Sequence, residues 1–248
     1  MTRRVDYAFL HGGGQGSWAW MPVIEALHQQ TASAFGQGLA LDVPGCGTKR
    51  SRDTNNLTLE AIASELVGDI VAAGMSDVVL VGHSQAGSII PHMVAIRPEL
   101  FRRVIYVTCS LPLPGQTVVA MIGSGVHGEN PDEVGWPVDP RTHSMEERFS
   151  IMFCNDMEPA GRTEFMSKIG PDAWPLASYT HTEWRYDQVG TVPASYVICL
   201  RDMILPVSWQ QKFVDRFDAD RVIQIDAGHQ AMITRPHALA EILRNEAA

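Results

Sequence analysis

The sequence predicts an α/β fold: a mainly parallel six-stranded sheet flanked by helices, with a helical cap inserted after the fourth strand. Three observations carry this expectation. Short apolar runs alternate along the chain with segments of helical periodicity. The apolar runs lack the in–out alternation of a half-exposed strand, so both of their faces are covered, as in parallel sheets. The alternation then fails over one stretch, Leu113 to Gln188, where no strand is evident. A chain of 248 residues suits one such domain with an insertion. The expected division is a core of residues 1–112 and 189–248 and a mostly helical cap, or lid, of residues 113–188.

In chain order, Val5–Leu10 reads as a buried strand ending at His11 and a glycine-rich loop. Trp20–Gln30 has helical spacing, with Met21, Ile24 and Leu27 on one side. Gly38–Val43 is the second expected strand, closed by Pro44-Gly45. Leu59–Ala73 carries Ile62, Leu66 and Ile70 at helical intervals, and Thr58 suits its start. Asp77–Val81 is the third strand, and a helix follows from about Gln85 to Ile96, where Pro98 ends it. Arg103–Cys109 is the fourth strand. Within the cap, Met145–Asn155 and Pro159–Ile169 are the helical candidates. Ala194–Leu200 and Arg221–Asp226 are the last strands, and Ser208–Phe217 and Pro236–Arg244 the last helices.

Composition narrows the function classes. The hydrophobic share of 45% and charged share of 19% are those of an ordinary globular domain. A net charge of −9 argues against nucleic acid as a partner. None of the four cysteines, Cys46, Cys109, Cys154 and Cys199, pairs with another at metal-ligand or Cys-x-x-Cys spacing, so reduced thiols in or near the core are expected and no metal. Two arginines precede the first apolar run, but that run is too short for a signal peptide or a membrane span, so the expected compartment is the cytoplasm.

The chemistry is concentrated at Gly82-His83-Ser84-Gln85-Ala86. A Gly-x-Ser-x-Gly elbow turns a strand sharply into a helix with the serine at the apex, and small neighbours avoid clashes there. Ala86 replaces the last glycine and Gly87 follows one step later. The apolar run before the motif and the helix after it supply the strand–turn–helix context. Ser84 is therefore the expected nucleophile, and it needs a histidine base and an orienting carboxylate. His229 follows the last predicted strand, which brings it to the sheet edge that carries Ser84. His83 is expected to point away at the elbow, His92 to be structural and His237 to begin the last helix. His127, His143 and His181 fall in the cap and are able to touch substrate. Asp202 follows the fifth strand and is the expected acid, with Pro206 starting the next helix. Asp226 is nearer to His229 in sequence but is expected to brace the loop. The backbone N–H groups of Gln85 and Gly13 are the expected oxyanion donors. The first loop lacks the Gly-Lys-Ser/Thr ending of a phosphate loop and fits a dinucleotide fingerprint poorly, so no cofactor is expected. Trp18, Met121, Phe149, Phe153, Met157 and Trp174 are candidate pocket residues, each of a type more often found in a core.

These pieces taken together resemble a known group. His11 to Trp20 with the pattern His-Gly-x-x-x-Gly-x-Trp, Gly82-His83-Ser84, Asp202 with Pro206, Gly228-His229, and Phe153-Cys154-Asn155-Asp156 in the cap are similar to the plant methylesterase and hydroxynitrile lyase branch of the α/β-hydrolase fold. The resemblance runs nearly end to end. It implies one triad serving two chemistries, ester hydrolysis through an acyl-enzyme and acid–base cleavage of a cyanohydrin. The lyases of this branch carry Thr after the first-loop His and Lys after the triad His, whereas Gly12 and Gln230 stand here. Both positions favour a carboxylic ester hydrolase acting on a small, partly apolar ester. The alternatives on the same scaffold are a hydroxynitrile lyase, a lactonase and a low-turnover small-molecule receptor. The expected partners are the ester and, in a homodimer, a second copy, with neither nucleic acid nor membrane.

Overall fold

The computed structural model describes residues 4–31, 34–170, 172–186 and 189–247. The predicted domain limits at 1, 188 and 248, and the first arginine, lie outside them. The chain begins with β1 (Val5–Leu10), a 3₁₀ turn (Ser17–Trp20), α1 (Met21–Thr31), β2 (Phe35–Leu41) and α2 (Leu59–Ala72). Next come β3 (Val78–His83), a 3₁₀ turn (Ser84–Ser88), α3 (Ile90–Ile96) and β4 (Phe101–Val107). Four helices follow: α4 (Val118–Ile122), α5 (Met145–Cys154), α6 (Pro159–Lys168) and α7 (Ala177–Thr180). The chain then returns to the sheet with β5 (Ala194–Cys199), α8 (Val207–Arg216), β6 (Arg221–Ile225), α9 (Ala231–Thr234) and α10 (Pro236–Glu246).

All six strands are parallel, in the order β2-β1-β3-β4-β5-β6. The α/β fold predicted from the sequence is borne out. Every residue of β3 and β5 is buried, because those strands are covered on both faces. Edge strand β6 is mostly exposed. Two apolar clusters sandwich the sheet. One gathers Ile62, Leu66 and Ile70 of α2, Met93 of α3 and Trp209 and Phe213 of α8. The other gathers Trp20, Val23 and Leu27 against Leu239 and Leu243 of α10. Thr58 caps α2 by accepting a hydrogen bond from Ala61 N at 3.2 Å. All four cysteines are buried and unpaired.

The boundaries differ from expectation where a local contact overrides the apolar pattern. β2 starts at Phe35, not Gly38, and stops at Leu41, because Val43 N leaves the sheet to donate to His11 Nε2 at 3.1 Å. β3 runs on through Gly82 and His83, which pair with Tyr106 and Val107. β4 begins at Phe101 and ends at Val107, since Thr108 takes φ 41° and breaks the strand before Cys109. The single helix expected from Gln85 is a 3₁₀ turn followed by α3. A 3₁₀ turn likewise occupies Ser17–Trp20 before α1, and Pro206 caps α8 rather than starting it. The remaining predicted elements agree within two residues. Among the described residues, 113–186 contribute no strand beyond one isolated bridge, Val126 to Trp136, and no helix is long and apolar enough to cross a membrane.

Candidate active site

Ser84 stands where β3 gives way to the 3₁₀ turn, with φ 54°. Few residues other than glycine adopt that conformation, so the turn holds backbone strain at its apex. Ser110 N ties the strained residue down by donating to Ser84 O at 3.1 Å. The small residues around the apex have separate reasons. Ala86 is buried with its methyl accommodated, whereas a Cβ on Gly87 would lie 2.4 Å from Ser110 O and 2.8 Å from the Phe217 ring. The close backbone approach therefore falls one residue after the position of the motif's last glycine. Gly87→Ala is expected to cost about 1–3 kcal/mol or more through overpacking. Ala86→Gly is expected to stay within about 1 kcal/mol of wild type. Chemical denaturation of the two variants checks this, and equal losses would remove the argument.

His229 and Asp202 meet Ser84 from the loops after β6 and β5. Ser84 Oγ donates to His229 Nε2 at 2.9 Å, and His229 Nδ1 donates to Asp202 Oδ2 at 2.6 Å. That pattern fixes the tautomer, since Nε2 accepts only when Nδ1 carries the proton. Both partners are buried, at 1% and 7% exposure. Asp202 Oδ1 accepts from Ile204 N at 2.8 Å and Leu205 N at 2.9 Å, and Oδ2 also accepts from Thr108 Oγ1. The loop that carries Asp202 is braced from below by buried Gln210. Its amide bonds Cys199 N at 2.9 Å, Cys199 O at 2.9 Å and Leu205 O at 2.8 Å. Asp226 turns outward to Arg201 Nε at 2.7 Å.

His83 does not point away from this constellation. Its ring packs 4.6 Å from that of His229, and its Nε2 donates to His229 O at 2.9 Å. His11 donates through Nδ1 to Gly12 O at 2.8 Å and accepts at Nε2 from Val43 N, a combination only the neutral imidazole can make. Burial lowers the His11 pKa, and burial with repulsion from His229 holds that of His83 well below its ordinary value. Gly12 is wedged between these groups: a Cβ there would lie 2.8 Å from His83 Nδ1 and 2.9 Å from Ser84 Cβ. The folded pKa values lie below the unfolded value of about 6.5. The unfolded chain therefore binds the extra protons as pH falls below about 6.5. Stability is expected to fall as the pH drops below about 6.5, and to be flat above as far as these two groups are concerned. Urea midpoints measured at pH 5 and pH 7 should show a smaller difference for His83→Gln than for wild type. An unchanged difference would assign the acid sensitivity elsewhere.

Ser84 and His229 open onto a cavity of about 690 Å³. Gly13 and Gln85 line it beside them, and the Gln85 side chain reaches Ser178 Oγ at 3.4 Å. Most of the apolar wall comes from the segment between β4 and β5, with Trp136, Phe149, Met152 and Phe153 among its residues. Of the six residues proposed from sequence for the pocket, Phe149, Phe153 and Trp174 line it. Trp18 instead packs edge-on against Phe165 at 5.8 Å, under Lys168. Met121 is wholly buried in the core cluster, and Met157 is half-buried away from the cavity. Of the cap histidines, His127 bonds the backbone of Val134 and Met203, while His181 packs edge-on against His92 and Trp184. Neither lines the cavity, nor does His143.

The Asn155-Asp156 pair has a mechanical role that its sequence did not reveal. Asn155 Nδ2 donates to Arg201 O at 2.8 Å, and Asp156 Oδ2 accepts from Gly228 N at 2.8 Å and Thr234 Oγ1 at 2.9 Å. The two side chains thus hold the residues immediately before Asp202 and His229. Sequence reasoning also missed Thr108, Gln15, Tyr179 and Asp172. Thr108 touches Asp202 from just past the end of β4, and the other three line the cavity. No spacing signal marks any of them, because each meets the site from a different element. Among the described residues no group of three or more His, Cys, Asp or Glu could hold a metal ion.

The chain matches the model of the alpha/beta hydrolase family over residues 8–242. It is 24% identical to Methylesterase 9 of Arabidopsis thaliana, with 96% of each chain covered. It is 28% identical to the carbendazim hydrolyzing esterase of Nocardioides sp. (strain SG-4G), covering 96% of this chain and 98% of that one. The solved structure of a pyrethroid hydrolase from Sphingobium faniae JZ-2 superposes with a TM-score of 0.75 at 21% identity, over 98% of this chain and 97% of the other. The resemblance to the methylesterase branch read from the motifs is borne out.

Proposed function

Since this chain belongs to the alpha/beta hydrolase family, we propose that it is a serine carboxylic ester hydrolase acting on a small, partly apolar ester, with Ser84 as nucleophile. The observation that carries this reading is the continuous bonded relay from Asp202 through His229 to Ser84, ending at a strained apex that faces a cavity. Esterase names among its relatives support the same reaction class.

In this mechanism Ser84 Oγ attacks the ester carbonyl carbon while His229 Nε2 removes its proton. The tetrahedral oxyanion lies between the backbone N–H groups of Gln85 and Gly13. His229 then returns the proton to the leaving alcohol, and an acyl-enzyme remains on Ser84. A water molecule deprotonated by His229 releases the acid and restores the serine. Asp202 keeps Nδ1 protonated and stabilises the imidazolium formed at each attack. Residues 113–188 act as the cap that roofs the cavity and sets which esters fit. The four unpaired thiols suit a reducing, cytoplasmic compartment.

The lyase alternative is disfavoured at two positions. Gln230 is uncharged, buried and bonded to Gln15, so this position offers no cation beside His229 to hold a departing cyanide. A threonine at Gly12 would collide with His83 and Ser84. Hydrolysis of p-nitrophenyl esters from acetate to octanoate tests the reading. Serine-dependent release with an optimum at short or medium chains is expected. A folded protein that cleaves none of them, but releases cyanide from a cyanohydrin, would overturn it.

A further inference from the structure

The hydrolytic mechanism uses Gln85 only through its backbone N–H, but its side chain is engaged as well. Nε2 donates to Ser178 Oγ at 3.4 Å, and the carboxamide is hydrogen-bonded to the Tyr179 hydroxyl. Both partners belong to α7, in the segment between β4 and β5. Ser178 is itself fixed from two sides, since its Oγ donates to Pro175 O at 2.8 Å and accepts from Trp174 Nε1. With its one hydrogen spent on Pro175, the hydroxyl meets Gln85 as an acceptor, which turns Nε2 toward α7 and Oε1 the other way. Oε1 rests on Gly13: a Cβ there would lie 2.5 Å from Gln85 Oε1 and 3.5 Å from the Tyr179 hydroxyl oxygen. Gly13, Gln85 and Tyr179 all line the cavity that contains Ser84 and His229.

We propose that Tyr179 is a positioning residue: together with Ser178 it clamps the Gln85 side chain against Gly13 and so holds the two oxyanion donors in register. This rests on reading Ser84 as the nucleophile and the N–H groups of Gln85 and Gly13 as those donors. One donor belongs to the residue that carries the clamped side chain, and the other to the residue on which that side chain rests. An unclamped glutamine has three rotatable bonds and would leave the contact with Gly13 loose. Oxyanion donors work because they stand in place before the charge develops, and a misplacement of about 1 Å in a site can cost about 100-fold in rate. Burial raises the pKa of Tyr179, which keeps its hydroxyl protonated and able to serve the clamp throughout the neutral range. The seating of α7 against the elbow thereby becomes part of the catalytic geometry.

Tyr179→Phe removes the hydroxyl and keeps the ring, while Gln85→Met keeps the side chain's length and removes its amide. With p-nitrophenyl acetate each is expected to lower kcat about tenfold, less than the roughly 100–1000-fold known for deleting an oxyanion donor outright, with KM within about twofold of wild type. The double variant should lose no more than Gln85→Met alone, because both changes break the same clamp. A trifluoromethyl ketone, to whose carbonyl Ser84 adds to give a tetrahedral oxyanion, should bind about tenfold more weakly to each variant, and the matching methyl ketone equally well to all. The adduct is read by fluorine NMR and needs no turnover, and circular dichroism confirms folding. Unchanged kcat and adduct affinity in Tyr179→Phe overturn the proposal, as does about a 100-fold loss in the double variant, which would make the two side chains independent. If Tyr179→Phe does not fold, Gln85→Met decides by the same two readouts. Weaker adducts in the variants of a protein that cleaves no ester would keep the clamp and remove the esterase reading. Ester hydrolysis untouched by either variant would do the reverse. A folded wild type that neither cleaves esters nor forms the adduct overturns both.

Discussion

Ser84→Ala is expected to lower kcat for ester hydrolysis by about 10⁴–10⁶-fold while leaving the protein folded. No other described hydroxyl is bonded to His229 Nε2, so nothing replaces the lost attack. Ser84→Gly should be equally inactive but more stable than Ser84→Ala by about 1 kcal/mol, because φ 54° penalises a side chain and glycine is free of that penalty. Comparing the two variants cancels the lost hydrogen bond to His229 and isolates the backbone strain. Initial rates with a p-nitrophenyl ester and urea midpoints give both numbers. Activity retained in Ser84→Ala would move the nucleophile elsewhere. A less stable glycine variant would mean that the apex is not strained.

Asp202→Asn is expected to cost about 10⁴-fold in kcat, the effect known for removing the orienting carboxylate of such a triad. The hydrogen-bond inventory explains why an isosteric change does so much. Oδ1 faces two backbone donors and Oδ2 faces two side-chain donors. Whichever way an asparagine amide is turned, its NH₂ meets donors. If the NH₂ faces His229, the proton moves to Nε2 and the imidazole can no longer accept from Ser84. If it faces the loop, Ile204 N and Leu205 N lose their acceptor. The kcat of Asp202→Asn, with circular dichroism to confirm folding, checks this. Activity within tenfold of wild type would shift the acid's role toward another carboxylate, and Asp226, which pairs with Arg201 at the surface, is the one nearest in sequence to His229.

Much of the architecture was legible because parallel strands and their covering helices leave a periodic trace. β1, β5 and α8 could be placed from apolar spacing alone, since burial on two faces or along one stripe dictates residue type at every step. The strand ends were not legible where a contact from a distant element decides them. Nothing near Val43 announces that its N–H is claimed by His11, and a β-branched Thr108 at φ 41° runs against local preference. Ser84, His229 and Asp202 could be proposed together because each follows a strand, and parallel strands bring such positions to one edge. The cavity wall was harder. Phe149, Phe153 and Trp174 were found, but Met121 and Trp18 carry the same apolar character and pack elsewhere. Hydrophobicity reports that a side chain leaves water, not whether a core or a cavity receives it.

The anchoring of Asn155 and Asp156 bears on how this protein could be diversified. The segment between β4 and β5 supplies most of the cavity wall, which invites exchanging it whole for another enzyme's to change substrate range. Yet two of its side-chain hydrogen bonds, from two adjacent residues, fasten the backbones beside Asp202 and His229, and a third ties Asp156 to the Thr234 hydroxyl. A wholesale graft lacking that pair would slacken the relay along with altering the pocket. The stretches on either side, up to Cys154 and from Met157 onward, are where chain can be exchanged while the catalytic loops keep their footing.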